Sequence, residues 1–421
     1  MLIGHLSDSH LGARPYGLRE REEDFYEAFH EAIGVMVERG VTAIIHAGDV
    51  FDTPTPDGTA LVKMVRELKM LNERGIRFYF TMGEHDISRR YVTPTSFLYP
   101  EMNLATYIGD GEPLSRDGLT IVGFHKYRRL EANDLRARLR TLDDRIASMG
   151  GKKVLVLHQG LVEFNEYAGE ISSSDLPKSF DYYAMGHLHD MAERRFDGIR
   201  GPVCYPGSLD STSVEGIRDH RKGFYLVELS GDEAKPEWVE LKSLRKHINV
   251  EVSYGDLEGR VEELMGQITG LKKKPLVHFK IVGAGAPDVG TTAGSSHIVN
   301  ALGRLQRYTI YQDWELVEGD ADRPAGMDYQ EKPQDVDHEM RAIAGRVLGS
   351  DERAAFAIDE LMPRLVAGRV DEAIESLWSA YQGGRLKPAG PVKGPPTPAS
   401  ADAGGRQPSG AARRARAKGG L

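Results

Sequence analysis

Five short apolar runs punctuate the first half of the chain, at residues 2–6, 43–46, 77–81, 154–157 and 182–185. Their near-continuous hydrophobicity and their β-branched and aromatic content predict buried strands. Between them the period changes. Phe25, Phe29, Ile33 and Met36 recur at steps of four, four and three, and Leu61, Met64, Val65, Leu68 and Leu71 repeat the pattern, so each set lays an apolar stripe along one face of a helix. Strand and helix alternate, as in layered folds built on apolar sheets.

The pattern shifts near Leu244. Ile248, Val250 and Val252 alternate as in a half-exposed strand, and residues 276–282 and 308–316 predict two more. A small α+β domain over 244–325 is expected, following a first domain over 1–243. Its Lys272-Lys273-Lys274 run reads equally as a phosphate-facing cluster or a solvated turn. Helical spacing then returns within 335–383, ending on a stripe of Val370, Ile374, Leu377, Trp378 and Tyr381. From 384 to 421 the sequence is rich in Pro, Ala, Gly and Ser, which cannot repay the entropy of ordering, and disorder is expected.

With 421 residues, 40% hydrophobic and 28% charged, the chain has the makings of a multidomain soluble protein. Its lone cysteine, Cys204, has no internal disulfide partner, and the first residues lack the apolar run of a signal peptide. A cytoplasmic protein without a membrane span is expected. The net charge of −9 argues against indiscriminate coating of nucleic acid. Charge is unevenly spread, however. Residues 385–421 carry eight Lys/Arg and one Asp, a net of +7, leaving −16 on the remainder. A basic tail on an acidic body suits contact with phosphates, and equally an unstructured end with no such role.

Each predicted strand is followed at once by residue types that bind metals: Asp8-Ser-His10, Gly48-Asp49, Gly83-Glu84-His85-Asp86, His158-Gln-Gly160 and Gly186-His187-Leu-His189. Strand ends in an open sheet border a common crevice, where groups distant in sequence converge. If strand geometry persists, the i, i+2 spacing of Asp8/His10 and of His187/His189 aims each pair to one side. Neighbouring glycines permit sharp turns and close approach. One such turn alone is weak, since an Asp after a strand is commonly a cap. Five in succession predict a metal site. His5 and His46, inside apolar runs, read as core histidines, and His125, His220 and His278 as surface or packing residues. Carboxylate and imidazole ligands without thiolate suit Mn²⁺ or Fe²⁺ better than structural zinc.

Together these motifs resemble the calcineurin-like metallophosphoesterase superfamily. Within it, Asp8-Ser-His10-Leu-Gly12, Gly48-Asp-Val-Phe-Asp52 with Pro54 and Pro56, and Tyr205-Pro-Gly-Ser208 resemble the double-strand-break repair nucleases of the meiotic-recombination-eleven or SbcD family. The resemblance implies an α+β fold, a four-layer α/β/β/α sandwich with a small α+β capping domain that orients DNA, and C-terminal helices. It implies two Mn²⁺ ions, with Fe²⁺ or Mg²⁺ as alternatives. One would be held by Asp8, His10, His189 and a bridging Asp49, the other by Asp49, Glu84, His158 and His187, while His85 would meet the scissile phosphate. It further implies DNA as substrate, a coiled-coil ABC-type ATPase of the Rad-fifty or SbcC kind docking on residues 370–381, and a homodimer through residues 61–71. Two positions depart from the family pattern, which has Asn at Glu84 and, in some members, His at Asp52. The second position is linked in those members to exonuclease action, so exonuclease and endonuclease roles both stay open. Two rival readings remain: a phosphoesterase acting on a small diester, and a non-catalytic scaffold that binds DNA.

Overall fold

β-Branched and aromatic residues form fifteen strands among the described residues, numbered in chain order: β1 (Leu2–Leu6), β2 (Ala43–His46), β3 (Arg77–Phe80), β4 (Thr106–Tyr107), β5 (Leu114–Arg116), β6 (Leu119–Phe124), β7 (Lys152–His158), β8 (Tyr182–Gly186), β9 (Ala192–Arg194), β10 (Val203–Tyr205), β11 (Gly223–Glu228), β12 (Lys235–Glu240), β13 (His247–Ser253), β14 (Leu276–Gly283) and β15 (Tyr311–Glu318). The computed structural model describes residues 1–88, 93–166, 169–218, 221–283, 292–318, 350–362, 364 and 370–382. Two compact units divide the chain, Met1–Ala325 and Gly326–Leu421.

In the first unit one sheet runs β12-β11-β1-β2-β3-β4 and another β5-β6-β7-β8-β10-β9. Strands β1 to β4 are mutually parallel, as are β6, β7, β8 and β10, while β5, β9, β11 and β12 run antiparallel to their neighbours. Alternation along each strand sorts its side chains to opposite faces. Ile3, Ile45 and Tyr79 meet Ile121, Val154 and Val156 between the sheets. On the far side of the first sheet, Ile44 and Phe78 pack against Phe29, Ile33 and Met36 of α1 (Arg19–Glu38) and Met64 and Leu68 of α2 (Gly58–Glu73). The stripes read from the sequence are thus the buried faces. Beyond the second sheet, Val122 and Leu155 pack with Leu135, Leu139 and Ile146 from the helical segment 132–146. Four layers result, in the order α/β/β/α, and each large apolar side chain so buried contributes roughly 1.5–3 kcal/mol.

A third sheet, β13-β14-β15, is wholly parallel and packs on two helices, Leu257–Ile268 and Thr292–Gly303. Its core holds Val250, Phe279 and Ile281 against Leu257, Val261 and Ile298. The expected strand over 308–316 begins instead at Tyr311, because the amides of Tyr308 and Thr309 both turn back to the Leu305 carbonyl. A charged knot ties this region to α1. Arg21, fully buried, bonds Asp24 at 2.7 Å, Asp210 at 2.8 Å and the Ser211 carbonyl at 3.0 Å. Asp24 also receives Arg245 at 2.6 Å and Lys273 at 3.1 Å. Lys273, the middle of the lysine run, is therefore committed to a structural tie. Elsewhere Tyr16 stacks on Tyr311, with centroids 4.1 Å apart and planes at 22°.

In the second unit, helix Asp351–Phe356 continues through a π turn at Ala357–Leu361, and Ser376 of helix Val370–Gln382 donates to Glu360 at 3.3 Å. Ile374, Leu377, Trp378 and Tyr381 are 45–59% exposed. The side chain of Val370, residues 335–349 and the expected basic tail lie outside the described set. No helix among the described residues is long and apolar enough to cross a membrane.

Candidate metal centre

The carboxyl ends of β1, β2 and β3 in one sheet and of β7 and β8 in the other carry the five ligand-bearing turns, so the two sheets share one rim. Strand geometry does not persist into these turns, contrary to the i, i+2 expectation. Asp8, His10 and Asp49 take left-handed backbone conformations with φ of 51°, 42° and 54°, and His187 has φ of 94°. The turns after β1 and β2 are laced to each other instead. The amides of Asp8, His10 and Leu11 donate to the carbonyls of Gly48, Asp49 and Val50 at 2.9, 3.1 and 2.9 Å. Left-handed residues other than glycine cost about 1–3 kcal/mol each, and such strain persists only where surrounding bonds over-determine it. Buried Asp86 adds to that frame by accepting from Val50, Phe51 and Gly83 at 3.0–3.2 Å. Two glycines are needed for close approach: a Cβ at Gly48 would strike the His158 ring, and one at Gly83 the Asp49 carboxylate.

All seven residues expected as ligands gather on this rim, in two groups. In one, Asp8, His10 and His189 bring ligand atoms within 4.8 Å of one another; in the other, Glu84, His158 and His187 do so. Asp8, Asp49 and His158 form a further such group linking the two. Asp49 Oδ2 lies 3.2 Å from His158 Nε2, while its Oδ1 accepts from the His85 amide at 2.8 Å. Glu84 Oε2 lies 3.1 Å from His187 Nδ1 and 3.6 Å from His158 Nε2. His85 packs edge-on to His10, with centroids 4.8 Å apart, and its Nδ1 donates to the Asp52 carbonyl at 2.9 Å, which turns Nε2 away from that bond.

The proton positions imposed by the surroundings test whether a cation fits here. His158 Nδ1 lies 2.8 Å from the Ala47 carbonyl, which can only accept, so Nδ1 carries the proton. In the neutral ring, Nε2 then presents a lone pair to Asp49 and Glu84, and this buried atom has no hydrogen-bond partner. His189 is oriented likewise, its Nδ1 donating to Glu215 at 3.1 Å, and its Nε2 faces His10 Nε2 at 3.2 Å. His10 Nε2 therefore either donates a proton to the His189 Nε2 lone pair or shares a cation with it. Burial opposes charge on His158, but Asp49 and Glu84 overcome it and hold its pKa well above the ordinary value. Burial also opposes ionisation of Asp49, and the neighbouring His158 reverses that, pulling its carboxyl below the usual range. Such a preference for positive charge among mixed N and O donors fits a divalent ion.

A model of the calcineurin-like phosphoesterases matches residues 1–191. The DNA double-strand break repair protein Mre11 of Sulfurisphaera tokodaii is 33% identical over 296 residues, which cover 68% of this chain and 74% of that protein. The chain belongs to the Mre11 family. Mre11 of Thermoplasma acidophilum is also 33% identical, over 66% of this chain and 76% of its own, and Mre11 of Methanocaldococcus jannaschii is 31% identical, over 67% and 76%. As a member of this family the chain is a metal-dependent phosphoesterase.

Several further residues support this Mre11-family site. Glu215, which orients His189, is held by Lys222 at 2.5 Å and by the Thr212 amide at 2.6 Å. Asp52 Oδ1 lies 3.3 Å from His10 Nδ1. His46 is buried as expected, but it also bonds Ser9, between Asp8 and His10, at 2.7 Å. Lys126 reaches Glu84 and Glu170. Lys126, Glu170 and Glu215 come from segments without a motif, where the Thr212-x-x-Glu215 capping pattern offers a local cue for Glu215, whereas Asp52 closes the Gly48-Asp-Val-Phe-Asp52 motif and His46 ends β2. His125 and His278 bond Gly109 and Asp313 away from the centre, and His220 lies outside the described residues.

Proposed function

We propose that the chain is a Mn²⁺-dependent DNA nuclease that processes ends in double-strand-break repair. The observation that carries this reading is the meeting of two ligand groups, Asp8 with His10 and His189 and Glu84 with His158 and His187, across Asp8, Asp49 and His158; His85 stands beside both, its ring within the same reach of His10 and Asp52 and of Asp49 and Glu84. In this reading Asp8, His10, His189 and Asp49 hold one ion, and Asp49, Glu84, His158 and His187 the other. Two such ions polarise phosphoryl oxygens, lower the pKa of water and stabilise both the entering and the leaving oxygen. The residues of the chain do the rest. Glu215 and the Ala47 carbonyl hold His189 and His158 in the tautomers that expose Nε2. His85, anchored through Nδ1 to Asp52, offers Nε2 to the phosphate. Burial disfavours its charged form, but Asp49 and Asp52 outweigh burial and raise its pKa, which suits a group that donates a proton to the leaving alkoxide. Water oxygen bonds to phosphorus, the P–O bond to the sugar breaks, and the sugar oxygen leaves protonated.

The same proposal includes a coiled-coil ABC-type ATPase partner on helix Val370–Gln382, and a homodimer through residues 61–71, where Val62 is 48% exposed. End-labelled single- and double-stranded DNA and a nucleotide diester, each incubated with Mn²⁺, Mg²⁺ or Zn²⁺ and with EDTA, test the substrate and the metal. DNA cleavage with Mn²⁺ is expected to exceed turnover of the diester; the reverse would assign a small-diester esterase. Asp49→Ala should abolish cleavage, whereas undiminished Mn²⁺-dependent activity would sink the two-ion reading. His85→Ala should keep both ions yet lose about 10²–10⁴-fold in rate. A fall in metal content that tracks the loss of rate would make His85 a ligand instead.

A further inference from the structure

The side chain of Lys126 is almost wholly withdrawn from solvent, yet its ammonium ends beside the candidate metal centre. Nζ lies 2.6 Å from Glu170 Oε1 and 3.4 Å from Glu84 Oε2, so one cation stands between two carboxylates. Its place is fixed by the backbone: the Lys126 amide donates to the Met82 carbonyl at 2.8 Å, which runs its segment beside Gly83-Glu84. Glu170 is fixed as well. Its Oε2 accepts from the Gly160 amide at 2.9 Å and from Gln159 Nε2 at 3.2 Å, leaving Oε1 for Lys126. That same Oε1 lies 3.8 Å from His187 Nε2.

We infer that Lys126 is a built-in counter-cation that sets how tightly the Glu84, His158 and His187 side of the centre holds its divalent ion. The inference rests on the proposed reading of those three residues as ligands. An ammonium 3.4 Å from a ligand carboxylate competes with the ion for that carboxylate and repels it, and because Glu84 is 42% exposed, water screens part of that repulsion. Glu170 limits the effect by drawing the ammonium toward itself. The two residues therefore pull affinity in opposite directions: Lys126 weakens binding of the second ion and Glu170 restores part of it. A merely structural lysine, tying Glu170 to the body, has no such signed effect.

Mn²⁺ titrations of the full chain, followed by the electron paramagnetic resonance of the free ion and by calorimetry, read this without any assay of cleavage. Lys126→Met should tighten the weaker of the two binding steps about tenfold or more, Glu170→Gln should weaken the same step, and Lys126→Arg should stay near the parent protein. Circular dichroism checks the fold of each, and Glu170→Gln carries the test alone if Lys126→Met does not fold. Affinities that do not change, or that weaken in Lys126→Met, overturn the inference. Asp49→Ala separates this from the underlying reading. If Asp49→Ala binds both ions normally, the ligand assignment itself fails; if it loses them while Lys126→Met and Glu170→Gln match the parent, only the role of Lys126 falls.

Discussion

Glu84 brings a third carboxylate to a rim that already holds Asp8 and Asp49. In the proposed two-ion reading these three carboxylates supply −3 against +4, and a bound hydroxide would leave the centre formally neutral. Anionic phosphate is attracted less to such a centre, and the ions are poorer Lewis acids. A carboxylate also binds a hard cation more firmly than an amide oxygen does. Glu84 Oε2 lies 3.1 Å from His187 Nδ1, turned toward the histidines even as Lys126 holds it from the other side. Glu84→Asn should therefore weaken Mn²⁺ binding about tenfold and raise single-turnover cleavage several-fold at saturating Mn²⁺. If neither quantity moves, Glu84 is no ligand. The seven ligand candidates were legible in the sequence because each directly follows an apolar strand, where position in the sheet is nearly fixed by hydrophobicity. Lys126, Glu170 and Glu215 were not, since they reach the rim from loops whose course depends on tertiary hydrogen bonds such as Gly160 to Glu170.

At the scale of elements, hydrophobic pattern missed β6 and β11, though both are buried along nearly their whole length, and located other elements that are buried on both sides or striped on one. Strands β1, β2, β7 and β8 and helices α1 and α2 are of this kind. The very short β4 and β10 and the edge strands β5 and β9 carry too few residues to show a period, and β12, with exposed and half-buried positions alternating, shows little contrast. Helix Val370–Gln382 has the opposite character: its pattern is clear, but Ile374, Leu377, Trp378 and Tyr381 remain exposed. Trp378 stacks beside Tyr381 at 5.9 Å between centroids, and Ile374 and Leu377 extend the stripe. A partner groove taking such a helix would be read by anchors at these positions. Leu377→Glu and Trp378→Ala should each reduce co-purification with the ATPase by tenfold or more while metal-dependent cleavage by the free chain is kept. Retained co-purification would reassign the stripe to another surface of this chain.

Across the whole molecule, the two sheets are joined by polar as well as apolar contacts. His5 on β1 meets the Tyr182 hydroxyl on β8 at 2.8 Å in the core between them. Burial pushes its pKa down to about 3, so in the folded protein it stays neutral while the unfolded chain, near 6.5, takes up a proton. The stability this provides is full above pH 6.5 and is lost as pH falls toward 3, amounting to about 2 kcal/mol by pH 5. Urea unfolding in EDTA at pH 7 and pH 5 should show that loss, and His5→Asn should lose about that much less. Equal losses in both proteins would remove His5 from the acid response. The charged knot on α1 has a mechanical side. Arg245 and Lys273 meet at Asp24, Asp24 is shared with Arg21, Arg21 grips Asp210 and Ser211, and the amide of adjoining Leu209 bonds the carbonyl of Asp8 at 3.4 Å. Ion pairs and hydrogen bonds of this kind give little along their length. A polymer leaning on the third sheet would therefore pass its load, through Arg245, Asp24, Arg21, Asp210 and Leu209, to the turn that carries the first carboxylate of the centre.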